Sequence, residues 1–382
     1  MSRRVMTAGT LRTVTPDSNK VKHLWSHASI SDAFVLVSGQ PGLDDEGNSV
    51  GEEAAQSRRA LERVRMVLEA GGSSLQDVLS FRIFADSEET FRAAERVLAG
   101  EQPWRPAGSP EPAISGFIAD QPIGGALLEI DAFAPVSGYG EPGSGPTDAT
   151  GLIFFSGLAA QEEDLTRQLD ALNSALRSRA LTPRNLAKVT WYARDREVLR
   201  HAFRVWNDFS ARHFPEGDFP AVTWVVVELP DGAAACIESI AMAGDRSTVA
   251  LALPPGTETP PGTSEAVRIG DWIFPRGQSV AGAEGAARLA DLPEQTAWAL
   301  ESTDQAIRAA GGAGLGDVVH ATTWFSDASR YDELNVVRRT YYLKHFAEDS
   351  YPAGTAAVGG GPAEGDLINL DFIAYVEPTA KI

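Results

Sequence analysis

Cysteine is nearly absent from this 382-residue chain: Cys236 stands alone, which excludes an internal disulfide framework and fits a reducing compartment. Cations are in short supply too, with 33 Lys and Arg against 52 Asp and Glu and a formal net charge of −19. Phosphate backbones and anionic lipid surfaces would be repelled over much of such a surface, so neither a nucleic-acid nor a membrane partner is expected. No window approaches the roughly 20 apolar residues that a bilayer crossing needs. The start, Met1-Ser2-Arg3-Arg4-Val5-Met6, has the charges of a signal peptide but not the apolar stretch of about 7–15 residues that follows them. A cytoplasmic protein is the expectation. The six histidines, His23, His27, His201, His213, His320 and His345, form no His-Glu-x-x-His and no close Cys/His set, so neither a metal nor a cofactor is expected. Gly359-Gly360-Gly361 is followed by no Lys-Ser/Thr and reads as a turn, and no Gly-x-Ser-x-Gly elbow is present.

What the sequence does contain is repetition. An apolar run ending in a small-residue turn occurs as Phe34-Val35-Leu36-Val37-Ser38-Gly39-Gln40, as Leu152-Ile153-Phe154-Phe155-Ser156-Gly157-Leu158, and as Trp272-Ile273-Phe274-Pro275-Arg276-Gly277-Gln278; its glycines lie 118 and 120 residues apart. Each run reads as a buried strand stopped where glycine permits a turn. A helical pattern follows, through Leu61, Val64 and Leu68, through Leu172, Ala175 and Leu176, and through Leu300, Thr303 and Ile307. Gly71-Gly72 and Gly311-Gly312 stop the first and third of these helices, whereas the second has Pro183 in its loop instead. Next come β-rich runs before Asp86, Asp195 and Asp327, then a second amphipathic helix marked by Phe91, Ala94 and Leu98 (the short version), by Leu199, Phe203 and Trp206, and by Tyr331, Leu334 and Tyr341. Pro-Ala pairs at 112–113, 220–221 and 352–353 precede a last strand that carries Glu129 and Asp131, Cys236 and Glu238, or Asn369 and Asp371.

Each unit therefore reads as α+β, a mixed sheet with two helices on one face, and the other sheet face needs burial. Units of residues 1–135, 136–245 and 246–382 are expected, with Gly/Pro-rich linkers at 135–151 and 246–264. Three such faces can bury one another around a pseudo-threefold axis, an intramolecular pseudo-trimer that is either monomeric or part of a higher homo-oligomer.

The ordered set Val-Ser-Gly-Gln, Ala-Ala-Gln, Ala-Leu, Gly-Gly, Asp-Val, Pro-Ala and Leu-Glu-Ile-Asp resembles the RidA (YjgF/YER057c/UK114) family, once per third of the chain. The resemblance implies three tandem copies of a unit that trimerises, a pocket at each seam, and hydrolysis of imines and enamines there. It also implies a substrate-binding arginine after the Pro-Ala pair, but Ile114, Val222 and Gly354 stand at that place. The water-positioning glutamate of the last strand is matched by Glu129, with Cys236 and Asn369 in the other copies. The pocket serine is matched by Ser38 and Ser156 and replaced by Arg276; the helix asparagine is matched by Asn207 and Asn335 and replaced by Glu95.

Glu129 is thus the candidate general base that activates or positions a water, with Glu238, Asp371 and Asp131 as further carboxylates of the same strand parity. Arg276 is the candidate fork for an anionic group of a small-molecule substrate. Ser38, Ser156, Asn207, Asn335, Cys236 and the aromatic wall of Trp224 are candidate binding groups. Each has a plainer alternative: Arg276 in an ion pair, Cys236 as a small buried hydrophobe, the tryptophans as core. Hydrolysis of an imine, enamine or related carbon–heteroatom bond is the leading expectation. A non-catalytic binding or scaffold protein and a chorismatase-like hydrolase or lyase acting on a cyclic anionic metabolite are the alternatives.

Overall fold

The computed structural model describes residues 12–13, 24–100, 111–121, 123–137, 151–250, 261–280, 291–347 and 350–377. Met1–Met6 and most of both Gly/Pro-rich stretches lie outside them. Among the described residues there are three β-sheets and six α-helices, a mixed α+β architecture in which one element order recurs three times.

The first sheet has the order β1-β2-β3-β6-β4-β5, from β1 (Arg12–Thr13), β2 (Ala28–Ile30), β3 (Phe34–Pro41), β4 (Ser80–Ala85), β5 (Ala113–Ile118) and β6 (Leu128–Pro135). Helix α1 (Glu53–Gly71) follows β3 and α2 (Glu88–Gly100) follows β4. The second sheet, β7-β10-β8-β9, contains β7 (Leu152–Ala160), β8 (Leu186–Ala193), β9 (Ala221–Val226) and β10 (Ala235–Met242), with α3 (Leu165–Ser178) and α4 (Arg196–His213) between them. The third, β11-β12-β13-β16-β14-β15, contains β11 (Arg246–Val249), β12 (Ala266–Ile269), β13 (Trp272–Pro275), β14 (Val318–Phe325), β15 (Ala353–Val358) and β16 (Ile368–Tyr375), with α5 (Leu292–Ala309) and α6 (Tyr331–His345). The chain divides into two compact units, residues 1–152 with 347–357, and residues 153–346 with 358–382.

Side-chain alternation along the strands places the polar groups. In β4 and β6, Phe81, Ile83, Leu128, Ile130 and Ala132 enter one core with Leu61, Val64 and Leu68 of α1. With a period of two, Arg82, Glu129 and Asp131 must then point to the opposite sheet face. In β8 and β10, Val189, Trp191 and Ile237 join Leu172, Leu176 and Trp206 in a second core, which sends Lys188, Thr190, Tyr192, Cys236 and Glu238 to the face away from the helices.

Four features differ from the sequence reading or refine it. Arg246–Val249, expected in a linker, pairs with β12 in antiparallel register from Arg246↔Ile269 to Val249↔Ala266. The middle sheet has no counterpart of β1–β2 or β11–β12 among the described residues, so β7 has a single sheet neighbour. In α6 the inward stripe is Tyr331, Leu334, Arg338 and Tyr342 rather than Tyr341, whose hydroxyl bonds the exposed Glu301. That stripe steps by three and four residues, as one helix face requires.

The fourth concerns helix ends. Gly72 and Gly311 adopt left-handed backbone, each at φ 84°, after α1 and α5. Beyond α3 no glycine is available, and the exposed Ala180 takes φ 57° in the corresponding turn. A Cβ in that region costs roughly 1–2 kcal/mol. Ala180→Gly should therefore raise the unfolding free energy by about 0.5–1 kcal/mol, read as a higher urea midpoint at unchanged slope.

Candidate active site

In the unit formed by residues 1–152 and 347–357, Glu129 and Asp131 lie two residues apart on β6 and are 2% and 3% exposed. Their surroundings differ. Arg82, directly across the β4–β6 ladder, donates to Asp131 through Nε at 3.1 Å and Nη2 at 2.6 Å, a two-pronged charge-assisted contact. The Thr355 hydroxyl of β15 donates to Asp131 Oδ2 at 2.8 Å and accepts the Gly39 N–H at 3.1 Å. Ser38 Oγ accepts the Gly354 N–H at 2.8 Å and donates to the Ser26 carbonyl. Glu129 Oε1, by contrast, is buried with no hydrogen-bond partner among the described residues. Burial, with the Asp131 charge adding to it, pushes the Glu129 carboxyl up from 4.5 to about 8. The carboxyl is packed against bare backbone: a Cβ on Gly39 would sit 2.3 Å from Glu129 Oε2.

The unit of residues 153–346 and 358–382 holds a related arrangement with different chemistry. Asn369 occupies the Glu129 position on β16, donates Nδ2 to the Trp224 carbonyl at 2.7 Å, and has no partner for Oδ1 among the described residues. Thr223 Oγ1, also unpartnered, and Asn369 Oδ1 come within 2.9 and 3.0 Å of where a Gly277 Cβ would be. Asp371 pairs with the buried Lys188 ammonium and accepts from Thr190 Oγ1 at 3.1 Å; Lys188 also donates to the Pro275 carbonyl. Desolvation lowers the Lys188 pKa, opposed by Asp371 and assisted by the nearby Arg276. Arg276 Nε lies 2.9 Å from Glu265 Oε1, although its N–H is not aimed along that contact. Both residues are buried, and the Arg276 backbone N–H donates to the Glu265 carbonyl.

The remaining candidates are dispersed. Glu238 accepts the Tyr192 hydroxyl at 2.6 Å, and Cys236 is buried beside it on β10. The Trp224 ring lies in the helix-side core, stacked on Trp191 at 6.0 Å and tilted against Phe203 at 5.2 Å, so toward Asn369 it offers its carbonyl. Among the described residues Asn207, half-buried on α4, has no partner for Oδ1 and Ser156 Oγ on β7 is buried without one, while Asn335 on α6 accepts from Arg338 at 3.5 Å. Arg82, Lys188, Thr355 and Glu265 were not singled out in the sequence. The one readable signal was Arg82 and Lys188, cations inside otherwise apolar strands. An open cavity of about 520 Å³ on the flank of α1, lined by Val50, Arg58, Glu62 and Arg65 among others, includes none of these groups. Among the described residues no three His, Cys, Asp or Glu side chains are placed to hold a metal, and no helix is long and apolar enough to cross a membrane.

A β-α-β-α-β-β unit with a carboxylate or amide at the centre of its last strand defines a recognisable class of small α+β proteins, and the comparisons agree. The family model described as Endoribonuclease L-PSP matches residues 16–136 and 260–375, more than half of the chain, and leaves the four-stranded middle part unmatched. The chain belongs to that family. It is 34% identical over 115 residues to a RutC family protein of Pyrococcus abyssi, a match covering 30% of this chain and 86% of the relative. A crystal structure of a chorismatase is similar in fold at a TM-score of 0.51, with 13% identity, over 78% of this chain and 93% of that one. Rv2704 of Mycobacterium tuberculosis, described as a member of the YjgF/YER057c/UK114 family, aligns at 28% identity over 35% of this chain and all of its own length, with a TM-score of 0.27.

Two outcomes follow from the ionisable groups. Glu129 binds its proton far more tightly folded than unfolded, so its contribution is fully present below the ordinary carboxylate pKa and is lost as pH rises through about 8. Unfolding free energies by urea between pH 5 and 9 should fall with pH in the native chain, and Glu129→Gln should remove that part of the slope. Lys188→Met strands Asp371 and should cost about 3–5 kcal/mol, whereas Lys188→Met with Asp371→Leu should recover most of the loss on the same denaturation measurement.

Proposed function

We propose that this chain is a small-molecule hydrolase acting on a C=N bond, with Glu129 as its proton-transfer group. We read three units, residues 1–135, 136–245 and 246–382, of which the first supplies the reacting acid. The observation that carries this reading is the Glu129 carboxyl itself: buried, with Oε1 lacking a hydrogen-bond partner among the described residues, and with its pKa pushed up to about 8 by that burial. A neutral carboxylic acid in such a place donates a proton at physiological pH, which is what an imine nitrogen needs before water attacks its carbon.

The steps balance without a cofactor. Glu129 gives its proton to the imine nitrogen as water adds to the carbon, and its carboxylate takes a proton from that water, leaving a carbinolamine. Glu129 then protonates the amine and recovers a proton from the hydroxyl as ammonia departs and the carbonyl forms. An enamine enters by protonation at carbon. Membership of the family supports a shared scaffold, and the distinct surroundings of Glu129 support chemistry at this copy. At the matching positions Asn369 has an amide that does not ionise and Cys236 a thiol in place of the carboxyl.

An RNA substrate, which the family description would suggest, fits poorly with a net charge of −19. The second reading is acid-catalysed cleavage in a cyclic metabolite. The fold likeness to a chorismatase and the same protonated Glu129 favour it, though at 13% identity the likeness speaks for fold alone. Turnover is tested by following ammonia release from imines and enamines generated in situ. Glu129→Gln should lower the rate by about 10²–10⁴-fold, and the native rate should decline as pH rises through about 8. An unchanged rate in Glu129→Gln would remove the proposal.

A further inference from the structure

We infer that the Glu129 site selects an uncharged ligand, a carbonyl, imine or enamine compound bearing no carboxylate, and disfavours anions; this rests on the reading of Glu129 as the reacting acid. The charged and backbone donors around Glu129 are engaged with neighbouring groups. Arg82 delivers Nε and Nη2 to Asp131 at 3.1 and 2.6 Å, and Thr355 Oγ1 donates to the same carboxylate at 2.8 Å. The Gly39 N–H is taken by Thr355 Oγ1 and the Gly354 N–H by Ser38 Oγ. Gly354, which follows the Pro-Ala pair, has no side chain to offer a cation.

An incoming carboxylate would have to break the Arg82–Asp131 fork, which leaves a buried Asp131 charge uncompensated, or else share through the remaining N–H groups a cation whose charge Asp131 already balances. An uncharged ligand meets neither obstacle. Its carbonyl oxygen or imine nitrogen presents the lone pair that a protonated carboxyl needs, and so satisfies the Glu129 oxygen that is buried without a hydrogen-bond partner among the described residues. Discrimination of this kind is produced as much by what the site refuses as by what it holds.

Pyruvamide and pyruvate are matched probes, alike in shape and different by one charge. Calorimetric titration of the full chain should show pyruvamide binding at least about tenfold more tightly than pyruvate, and Asp131→Asn, which frees the Arg82 fork, should shift the ratio toward pyruvate by about tenfold or more. Glu129→Met, which keeps the shape and removes the proton, should weaken pyruvamide, with circular dichroism verifying that both variants fold. Pyruvate binding as tightly as pyruvamide to the native chain, with Glu129→Met still weakening both, overturns the charge selection and leaves Glu129 as the acid. Pyruvamide binding unaltered by Glu129→Met overturns the Glu129 reading beneath it. Binding of neither probe at millimolar concentration overturns the inference as well.

Discussion

A charge withdrawn from water must be met by a partner or give up its ionisation, and the sheet faces of this chain are organised by that requirement. The last strand of each unit carries a carboxylate at the same place, and each is answered differently. Asp131 is held by Arg82 and Thr355, Glu238 by the Tyr192 hydroxyl, and Asp371 by Lys188 and Thr190. The Arg82–Asp131 and Tyr192–Glu238 contacts join neighbouring strands and favour one register, because a slip of one residue would turn these groups into the hydrocarbon of the helix-side core. Thr355, Lys188 and Thr190 instead reach their carboxylates from another sheet. Against that background Glu129 stands out, because its Oε1 has no hydrogen-bond partner among the described residues and burial raises the pKa of its carboxyl.

Much of this was legible in the sequence because it is local. Alternation in Leu128–Pro135 and the three- and four-residue steps through Leu61, Val64 and Leu68 are properties of short windows, and the observed elements follow them. Glu129 was readable too, since strand parity assigns it to the polar face. Its solitude was not readable. The groups that complete or decline to complete the site come from far along the chain: Thr355 lies 224 residues beyond Asp131, and Thr190 lies 181 before Asp371. Arg276 illustrates the same gap at short range. Its position at the end of an apolar run suggested a group reaching toward a ligand, whereas the β12–β13 hairpin register brings it beside Glu265. Trp224 was expected in a pocket wall. Its ring faces the core because Val222 and Trp224 share a side with Trp191, a parity the run itself contains.

The copies have diverged in skeleton as well as in side chains. Among the described residues the first and third sheets have six strands and the middle one has four, and the middle part is also the stretch that the family model does not match. Its hydrophobic core is nevertheless dense in large rings, with Trp191, Trp206 and Phe209 all buried. Aromatic packing on the helix side sustains a unit whose sheet is narrower.

Joining the copies in one polypeptide has a stoichiometric meaning. An assembly of identical chains would have to repeat the same side chain at the centre of every last strand. Here that place is filled once by glutamic acid, once by cysteine and once by asparagine, at positions 129, 236 and 369. A reagent that recognises the protonated acid would thus saturate at one equivalent per polypeptide, and its binding isotherm would be hyperbolic, with no like neighbours in the chain to couple it to.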